Sequence, residues 1–409
     1  MSDRFHSLSK PLMGFSIGVA MLAASSIAPA WSREKVVYSF TGGTSEGAYP
    51  FGPLIMAKDK LIGTTMAGGN GTGSQCAPND GCGTVFRLTR SGGLSVLYNF
   101  AGRCDGALPE GGLLRDSAGN YYGTTIEGGD CSGQGAGTVF KIAPNGTETV
   151  LYAFQGTTDG NWPQGNLVSD KKGNLYGTTS FGGNMADCGG NGCGTVFEVS
   201  PNGTETVLYR FQGGSDGGEP LAGVIRDKKG DLYGTTELGG NMTACEIGCG
   251  VVFKLTPRGV QSVVYAFQGG SDGFYPEAGL IEDKAGNLYG TTLAGGGSNL
   301  GTVFKIAPHG TEAVLYAFHG VDDGNSPVAG LIEDKAGNLY GTTSAGGAGD
   351  FGTVFELARD GTETVLNSFG GTSGSGPNGS VLAGENGSLF GATTYGGNDN
   401  LGVVFAVEK

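Results

Sequence analysis

The sequence predicts an all-β fold, a seven-bladed β-propeller with four strands per blade, because three landmarks each recur seven times. The first is the glycine of a Tyr-Gly-Thr-Thr-like segment, found at Gly63, Gly123, Gly177, Gly234, Gly290, Gly341 and Gly391. The second is the phenylalanine of a Gly-Thr-Val-Phe-like segment, found at Phe86, Phe140, Phe197, Phe253, Phe304, Phe355 and Phe405. The third closes a Val-Leu-Tyr-Ala-Phe-like segment, at Phe40, Phe100, Phe154, Phe211, Phe267, Phe318 and Phe369. Successive copies are 50 to 60 residues apart, a period typical of propeller blades.

The copy that runs from Pro276 to Phe318 shows the four strands of one blade. Short runs rich in Leu, Ile, Val, Tyr, Phe and Thr alternate with Gly, Asp, Asn and Pro, which predicts strands joined by tight turns. We expect the strands at Gly279–Glu282, Asn287–Thr292, Gly301–Ile306 and Ala313–Phe318. The first turn has Asp283 at its start and Gly286 where a positive φ is needed.

The two ends of the repeat region predict how the ring closes. If the first strand of each copy is innermost, the fourth strand lies at the outer edge. The chain, however, has an isolated strand of the outer type at Val36–Phe40 and finishes on a strand of the third type at Gly402–Val407. We therefore expect the N-terminal strand to complete the last blade, so that backbone hydrogen bonds join the two ends.

Residues 1–30 differ from the repeats and predict a secretory signal peptide. Arg4 and Lys10 precede an apolar run too short to span a membrane, and Ala28-Pro29-Ala30 offers a small-residue cleavage pattern. Residues 31–409 are then expected to form a single propeller domain without a membrane span, as a monomer in the periplasm or outside the cell. Removal of residues 1–30 changes the formal charge from −14 to −15, which disfavours nucleic acid and anionic membrane as partners.

Eight cysteines agree with export, because they can be grouped into four pairs. Three pairs each fall within one connection between the second and third strands: Cys76 with Cys82, Cys188 with Cys193, and Cys245 with Cys249. The fourth pair, Cys104 and Cys131, lies in two connections that a propeller places on the same face. The competing interpretation is zinc, but the cysteine spacings do not fit zinc motifs and the sequence has only three histidines. Disulfides are therefore expected, with no metal or other cofactor.

The repeated motif carries a family resemblance. The pattern Gly-Leu-Ile-x-Asp-x-x-Gly-Asn-Leu-Tyr-Gly-Thr-Thr, followed by Gly-Thr-Val-Phe-Lys and Val-Leu-Tyr-x-Phe, resembles the GloVer-type tandem repeats of bacterial exported proteins. The resemblance covers roughly residues 35–408 and implies a protein that is exported or located at the cell surface. It implies no particular biochemical activity.

Acidic residues that precede glycine recur before the inner strand of six copies. They are Glu46, Asp105, Asp159, Asp216, Asp272 and Asp323. Carboxylates arranged around one mouth of a propeller could bind cations. The alternative is that each carboxylate accepts hydrogen bonds within its own turn, which is the preferred interpretation because a repeated turn needs the same residue every time.

Positions that vary among the copies are better candidates for a binding site. Beside the proline that the copies share, the variable positions include Tyr49, Trp162 and Tyr275 before it, and Glu110 and Glu277 after it. Aromatic and carboxyl groups at one level of the mouth could stack on and hydrogen-bond a sugar. The alternative is that the three aromatic side chains pack over the prolines. Glu110 and Glu277 belong to copies three apart, so they are expected across the mouth from each other, too far apart for a retaining glycosidase.

Two classes of function follow. The preferred one is an exported, non-catalytic binding or scaffolding protein that holds a carbohydrate or a protein on its central face. The other is an extracellular carbohydrate-active enzyme, a lyase or hydrolase, with its site at the same mouth. No catalytic residues are assigned, because the sequence contains no nucleophile elbow, phosphate loop or dinucleotide fingerprint, and His309 and His319 fall at outer strands.

Overall fold

The structure, a computed structural model, describes residues 34–72, 76, 81–131, 135–320 and 322–409. The predicted signal peptide lies outside these residues. The described residues form seven antiparallel sheets, one for each sequence copy, arranged as the blades of a propeller. The seven-bladed fold is therefore confirmed. Within this part of the chain no helix is long and apolar enough to cross a membrane.

In blades 1 to 6 the strands follow the order of the chain from the inner to the outer edge, whereas in blade 7 the outer strand is the first described strand of the chain. Blade 1 contains Gly47–Pro50, Ile55–Ala57, Lys60–Gly68, Thr84–Thr89 and Leu94–Asn99. Blade 2 contains Leu114–Arg115, Tyr121–Thr125, Thr138–Ile142 and Glu148–Ala153, and blade 3 contains Val168–Ser169, Leu175–Thr179, Thr195–Val199 and Glu205–Arg210. Blade 4 contains Ile225–Arg226, Leu232–Thr236, Val251–Leu255 and Gln261–Ala266.

The remaining blades repeat the same plan. Blade 5 contains Ile281–Glu282, Leu288–Thr292, Thr302–Ile306 and Glu312–Ala317, and blade 6 contains Ile332–Glu333, Leu339–Thr343, Thr353–Leu357 and Glu363–Ser368. Blade 7 contains Leu382–Ala383, Leu389–Thr393, Val403–Val407 and the N-terminal strand Glu34–Ser39. Single 3₁₀ turns occupy Cys188–Gly190, Gly270–Asp272 and Glu385–Gly387.

The predicted strand bounds are correct to within one or two residues. The largest difference is at the inner strand of blade 5, which is only Ile281–Glu282 instead of Gly279–Glu282. The backbone before it lies close to the next blade: a Cβ on Gly330 of blade 6 would lie 3.2 Å from the carbonyl oxygen of Gly279.

The ring closes through the N-terminal strand, as the sequence predicts. Glu34–Ser39 pairs antiparallel with Val403–Val407, and the N–H of Phe40 donates a hydrogen bond to the carbonyl oxygen of Gly402 at 3.0 Å. The first strand of the repeat region is thus the outer strand of the last blade.

Neighbouring blades are joined by pairs of buried phenylalanine rings. The phenylalanine that closes the outer strand of one blade meets the phenylalanine of the third strand in the next blade, in a T-shaped arrangement with centroids 4.9 to 5.3 Å apart. All seven interfaces contain such a pair, and it includes Phe40 with Phe86 at the closure. Both rings of each pair are almost fully buried.

The first hairpin of a blade is fixed by its aspartate. In blade 5 the Asp283 carboxylate accepts hydrogen bonds from the N–H groups of Ala285 and Asn287 at 2.8 and 2.9 Å, and from the Tyr289 hydroxyl at 3.1 Å. Although burial opposes it, this hydrogen bonding lowers the pKa of Asp283. Gly286 completes the turn with a φ of 83°, as the sequence predicts.

Candidate functional site

One face of the ring, which we call the mouth, carries the connections into the inner strand and those between the second and third strands. Antiparallel pairing brings these connections to the same edge of every blade. In blade 2 they are joined by a bridge in which the N–H of Ala107 donates to the carbonyl oxygen of Glu127 at 2.8 Å. The opposite face carries the hairpins between the first and second strands and between the third and fourth strands.

The inner strands begin side by side, in backbone contact from blade to blade. A Cβ on Gly52 would lie 2.6 Å from the carbonyl oxygen of Glu110, and one on Gly379 would lie 2.9 Å from the carbonyl carbon of Gly52. A Cβ on Gly111 would lie 3.0 Å from the carbonyl oxygen of Gln164. These glycines therefore let the inner strands of neighbouring blades approach closely.

The residue before the shared proline adopts a left-handed conformation in every blade. The φ values are 58° at Tyr49, 57° at Leu108, 59° at Trp162, 53° at Glu219, 59° at Tyr275, 55° at Ser326 and 64° at Gly376. We call these seven positions the mouth ring.

Backbone hydrogen bonds explain why the mouth ring needs this conformation. The N–H of Trp162 donates to the carbonyl oxygen of Ala136 in the preceding blade at 3.1 Å, and its own carbonyl accepts from the N–H of Ser180 at 3.1 Å. The N–H groups at the other six positions make the equivalent bond to the preceding blade. Each mouth-ring residue thus links two blades.

The aromatic side chains of the mouth ring each contact another aromatic ring. Trp162 lies 5.4 Å from Phe181 of its own blade, and 40% of Trp162 is exposed. Tyr49 lies 5.7 Å from Tyr395 of blade 7, which is 43% exposed. Centroid distances of this size in T-shaped geometry are favourable, and they leave ring surface open to the mouth.

The third aromatic residue, Tyr275, packs against Phe274, its neighbour in the chain, at 4.8 Å. The structure therefore places Tyr49, Trp162 and Tyr275 at equivalent points of blades 1, 3 and 5. They form three separate aromatic pairs around the mouth, with an intervening blade between successive members, and not one continuous stack.

The two candidate glutamates lie on blades 2 and 5 and have altered acidity. Burial, with a smaller contribution from repulsion by Glu127, raises the pKa of Glu110 to about 7. Burial also raises the pKa of Glu277 to about 7. A carboxyl group with a pKa near 7 is partly protonated at neutral pH, and its protonated form can donate a hydrogen bond as well as accept one.

In blades 3 and 7 the residue that follows the shared proline, equivalent to Glu110 and Glu277, has a side-chain amide. The Nε2 of Gln164 donates to the Ser180 hydroxyl at 2.9 Å, and the Nδ2 of Asn378 donates to the Thr394 hydroxyl at 2.9 Å. The mouth thus carries carboxyl and amide groups alongside aromatic rings, and the two hydroxyl groups are buried beneath the amides.

Four further residues of the candidate site are not among those that the sequence predicts: Phe181, Phe274, Tyr395 and Glu127. Three of them occupy the fourth position after the repeated Tyr-Gly-Thr-Thr glycine, where the other copies carry Ala67, Leu238, Ala294 and Ala345. The same variation between copies that identifies Trp162 would have identified this position. Phe274 precedes Tyr275 and replaces a residue that is small or polar in the other copies.

The repeated carboxylates before glycine belong to the connections of the mouth but lie beside the outer strands and not around the central opening. Each accepts a hydrogen bond from the tyrosine of the preceding outer strand; in blades 2 to 6 these bonds are 2.7 to 2.9 Å long. In the last of them, Asp323 also accepts from the N–H of His319 at 2.9 Å and of Gly320 at 2.7 Å. Their hydrogen bonding within the turn is confirmed, but the expected position around the central opening is wrong because the tyrosines hold them at the outer strands.

Disulfides support the mouth ring. All four predicted pairs form: Cys76–Cys82, Cys104–Cys131, Cys188–Cys193 and Cys245–Cys249. In the three short ones, the carbonyl oxygen of the second cysteine accepts the N–H of the next mouth-ring residue, as Cys249 does from Tyr275 at 3.1 Å. Such a framework fits an oxidising compartment.

Charge is distributed unequally between the two faces. The described part of the mouth connections contains one cationic side chain, Arg103, and seventeen carboxyl groups: Glu46, Asp105, Glu110, Glu127, Asp130, Asp159, Asp187, Asp216, Glu219, Glu237, Glu246, Asp272, Glu277, Asp322, Asp323, Asp350 and Asp399. The described hairpins of the opposite face are nearly neutral, with nine carboxyl groups and ten cations. The acidity of the chain is therefore concentrated at the mouth.

A cavity of about 690 Å³ lies away from the mouth, between the hairpins of blades 5 and 6 on the opposite face. Its lining includes Lys284, Lys335 and Arg359. It also includes Asp283 and Asp334, whose carboxylates already accept hydrogen bonds within their own turns. In the described residues no group of three or more His, Cys, Asp or Glu side chains is arranged to hold a metal ion.

Solved structures share the fold with this chain. A proposed 6-phosphogluconolactonase from Bacteroides uniformis is similar, with 16% sequence identity, a TM-score of 0.50, and coverage of 82% of this chain and 90% of that one. The extracellular domain of a proposed one-component system from B. thetaiotaomicron has 11% identity and a TM-score of 0.53 over 88% of this chain and 39% of that one. Identities this low carry the architecture alone.

Family membership comes from the repeats themselves. No curated protein matches the sequence. The family model of the Gloeobacter/Verrucomicrobia repeat matches residues 26–247 and 242–409, which together include almost every strand described above. The chain therefore belongs to the Gloeobacter/Verrucomicrobia repeat family.

Proposed function

We propose that this protein is an exported binding protein whose mouth holds a carbohydrate against Tyr49, Trp162 and Tyr275. The observation that carries the proposal is the occupancy of the mouth ring. Its backbone is the same in all seven blades, whereas its side chains differ, and three of them are large aromatic groups. Export is supported by the N-terminal sequence pattern and by four disulfides.

The left-handed backbone conformation carries a free-energy cost for the aromatic residues of the mouth ring. A left-handed φ suits glycine, as at Gly376, and costs roughly 1 kcal/mol or more for other residues. The link between blades requires only backbone groups, so glycine would serve at every position. Aromatic side chains at Tyr49, Trp162 and Tyr275 are therefore expected to have a use of their own, which their partly exposed rings can supply.

Each group has a role in sugar binding. An aromatic ring stacks on the apolar face of a pyranose, while hydroxyl groups around the sugar need both donors and acceptors. Glu110 and Glu277 supply both near neutral pH because burial raises their pKa values to about 7.

One observation also supports the second candidate, an extracellular carbohydrate lyase or hydrolase. A carboxylic acid with a pKa near 7 is suited to donate a proton to a leaving group at neutral pH, and both Glu110 and Glu277 have this property. Their places on blades three apart disfavour a retaining mechanism, which needs two carboxyl groups about 5 Å apart.

The test is a binding assay with a panel of polysaccharides. Trp162→Ala should weaken binding at least about fivefold, since an aromatic contact contributes on the order of 1 kcal/mol beyond its area. The melting temperature should change little because 40% of the side chain is exposed. The matched control is Val260→Ala, an exposed apolar residue in a hairpin on the opposite face, which should bind as the wild type does.

The same panel separates the two candidates. Release of new reducing ends or unsaturated products, lost in Glu110→Gln or Glu277→Gln, would establish the enzyme and overturn the non-catalytic proposal. A melting temperature many degrees lower in Trp162→Ala, with unchanged binding, would instead identify Trp162 as a packing residue.

A further inference from the structure

The mouth combines two features that select for the charge of a ligand. In the described residues its connections carry seventeen carboxyl groups against one cation, and eleven of these carboxyl groups are not held at the outer strands by tyrosines, while the opposite face is nearly neutral. Within it, the pairs Trp162–Phe181 and Tyr49–Tyr395 leave aromatic surface exposed. The two features are independent, since the carboxyl groups are spread over the connections of most blades, whereas the aromatic pairs occupy particular ones.

Both features favour positive charge. A concave surface lined by one sign of charge attracts ligands of the opposite sign over about a Debye length and repels those of the same sign. The face of an aromatic ring also attracts cations, and a cation between carboxylates and aromatic rings gains from both interactions. A polyuronate or another anionic glycan would meet repulsion at every blade.

We propose that the ligand of the mouth is a cationic glycan, an oligosaccharide of amino sugars with free amino groups. This inference rests on the proposed function and names its ligand class. The aromatic rings stack on the sugars, and the ammonium groups lie against the acidic rim.

The polar groups at the base of the mouth favour an amino sugar over a basic peptide. Lysine and arginine side chains only donate hydrogen bonds, so a site for them needs acceptors alone. Here Gln164 and Asn378 add side-chain amides, which contain both donors and acceptors, held in place by the buried hydroxyl groups of Ser180 and Thr394. A set of both donors and acceptors suits a ligand rich in hydroxyl groups.

The test compares glycans that share a backbone and differ in charge. The wild-type protein is titrated with a glucosamine oligomer, its fully N-acetylated counterpart and a galacturonate oligomer, at pH 6 and low ionic strength. The free amine should bind roughly tenfold tighter than the acetylated form, and the uronate should not bind measurably. Raising the ionic strength from about 0.01 M to about 0.5 M should remove most of the difference, because the Debye length then falls to a few Å.

Two variants locate the effect. Trp162→Ala should weaken binding of both the amine and the acetylated oligomer, because stacking does not depend on the charge of the sugar. Glu127→Gln should reduce the preference for the amine by a few-fold and leave the acetylated oligomer unaffected. The matched control is Glu385→Gln on the opposite face, where the carboxylate is 80% exposed, and it should change neither.

The outcomes distinguish this inference from the function on which it rests. Equal binding of the amine and acetylated oligomers, unaffected by salt, would overturn the inference and leave carbohydrate binding intact. Binding of a polylysine peptide without binding of any glycan would overturn both. A preference for the uronate would also overturn the inference.

Discussion

Individual residues in this protein are conserved between copies because neighbouring blades press on them. A Cβ on Gly290 would lie 2.6 Å from Cζ of Phe304, and Gly290 has an ordinary negative φ, so the requirement for glycine is steric. Gly301 has a second reason to be glycine, since its φ is 100° and a Cβ there would lie 2.5 Å from Cδ of Pro327 in the next blade. The glycines of the repeated motif are therefore required by close packing against phenylalanine rings and prolines.

Substitution of one such glycine measures that packing. We expect Gly290→Ala to destabilise the protein by about 1 to 3 kcal/mol, since the added methyl group displaces the buried Phe304 ring. Gly297→Ala is the control, because nothing lies within 4 Å of a Cβ at that position of the same blade and its φ is not positive. Thermal or denaturant unfolding of the two variants gives the comparison. Equal stability of both would show that the ring has room to move.

The candidate site was only partly predictable at this scale. Comparison of the seven copies predicts Tyr49, Trp162 and Tyr275, because the residues around these positions are nearly the same in every copy whereas the side chains at these positions differ. The left-handed backbone of the mouth ring was not predictable, because glycine stands there only once, at Gly376, and the other six residues give no sign of a positive φ. The pairing of Trp162 with Phe181 also depends on strand geometry that the sequence does not display.

At the scale of strands and hairpins, one repeated contact brings two carboxyl groups together. A glutamate at the start of an outer strand lies near an aspartate of the preceding turn. The first residue of the outer strand is a glutamate in five blades, and in four of them it follows a turn that carries an aspartate: Glu148, Glu205, Glu312 and Glu363. Each lies near the aspartate of the preceding turn, as Glu312 lies near Asp272, and burial together with that neighbour raises the pKa of each glutamate to about 7. One oxygen of each glutamate, Oε1, is buried without a hydrogen-bond partner.

Stability should therefore depend on pH in a defined window. The unfolded chain releases these protons near pH 4.5, whereas the folded protein keeps them to about pH 7. The contribution of these protonated glutamates to the free energy of unfolding is complete below about pH 4.5. It declines as the pH rises towards 7, and above pH 7 it is lost and stability no longer changes through these groups. The upward shift amounts to roughly 3 kcal/mol per group without screening, and partial exposure reduces this to about 1 kcal/mol. We expect the melting temperature to be several degrees higher at pH 5 than at pH 8.

Blade 4 supplies a natural version of the variant that tests this origin. It carries Gln261 at the equivalent position, and its Nε2 donates to the carbonyl oxygen of Asp216 at 3.2 Å. Glu312→Gln should therefore raise the melting temperature at pH 8 and leave it nearly unchanged at pH 5. The exposed Glu408→Gln serves as the control and should show no such difference. Equal melting temperatures of the wild type at pH 5 and pH 8 would contradict the assignment.

The whole molecule was the most predictable level. Blade number, strand order and closure all follow from counting complete and partial copies, which needs no knowledge of side-chain contacts. Seven copies of each landmark fix seven blades, and the unmatched outer strand near residue 36 requires a partner at the other end of the repeats. Strand ends and the distribution of charge over the two faces depend on how the connections run in space, which counting copies does not predict.

Closure also makes the N-terminal strand responsible for the stability of the whole ring. It supplies the outer edge of blade 7 through its pairing with Val403–Val407, and Phe40 inserts between blades 7 and 1 against Phe86 at 5.3 Å. Deletion of residues 34–40 removes both contacts at once. Burial of one phenylalanine alone contributes about 2 to 3 kcal/mol, so the deletion should lower the melting temperature by many degrees.

Rescue in trans distinguishes loss of this strand from damage to the rest of the fold. A synthetic peptide with the sequence of residues 34–40 should bind the truncated protein and restore much of the melting temperature, because it can supply the same backbone pairing and the same phenylalanine. A peptide of the same composition in scrambled order is the control. A second peptide with alanine in place of Phe40 should restore less of the melting temperature. The difference between the two peptides measures the contribution of the Phe40–Phe86 contact. If the truncated protein melts at the wild-type temperature, the two ends do not hold the ring together.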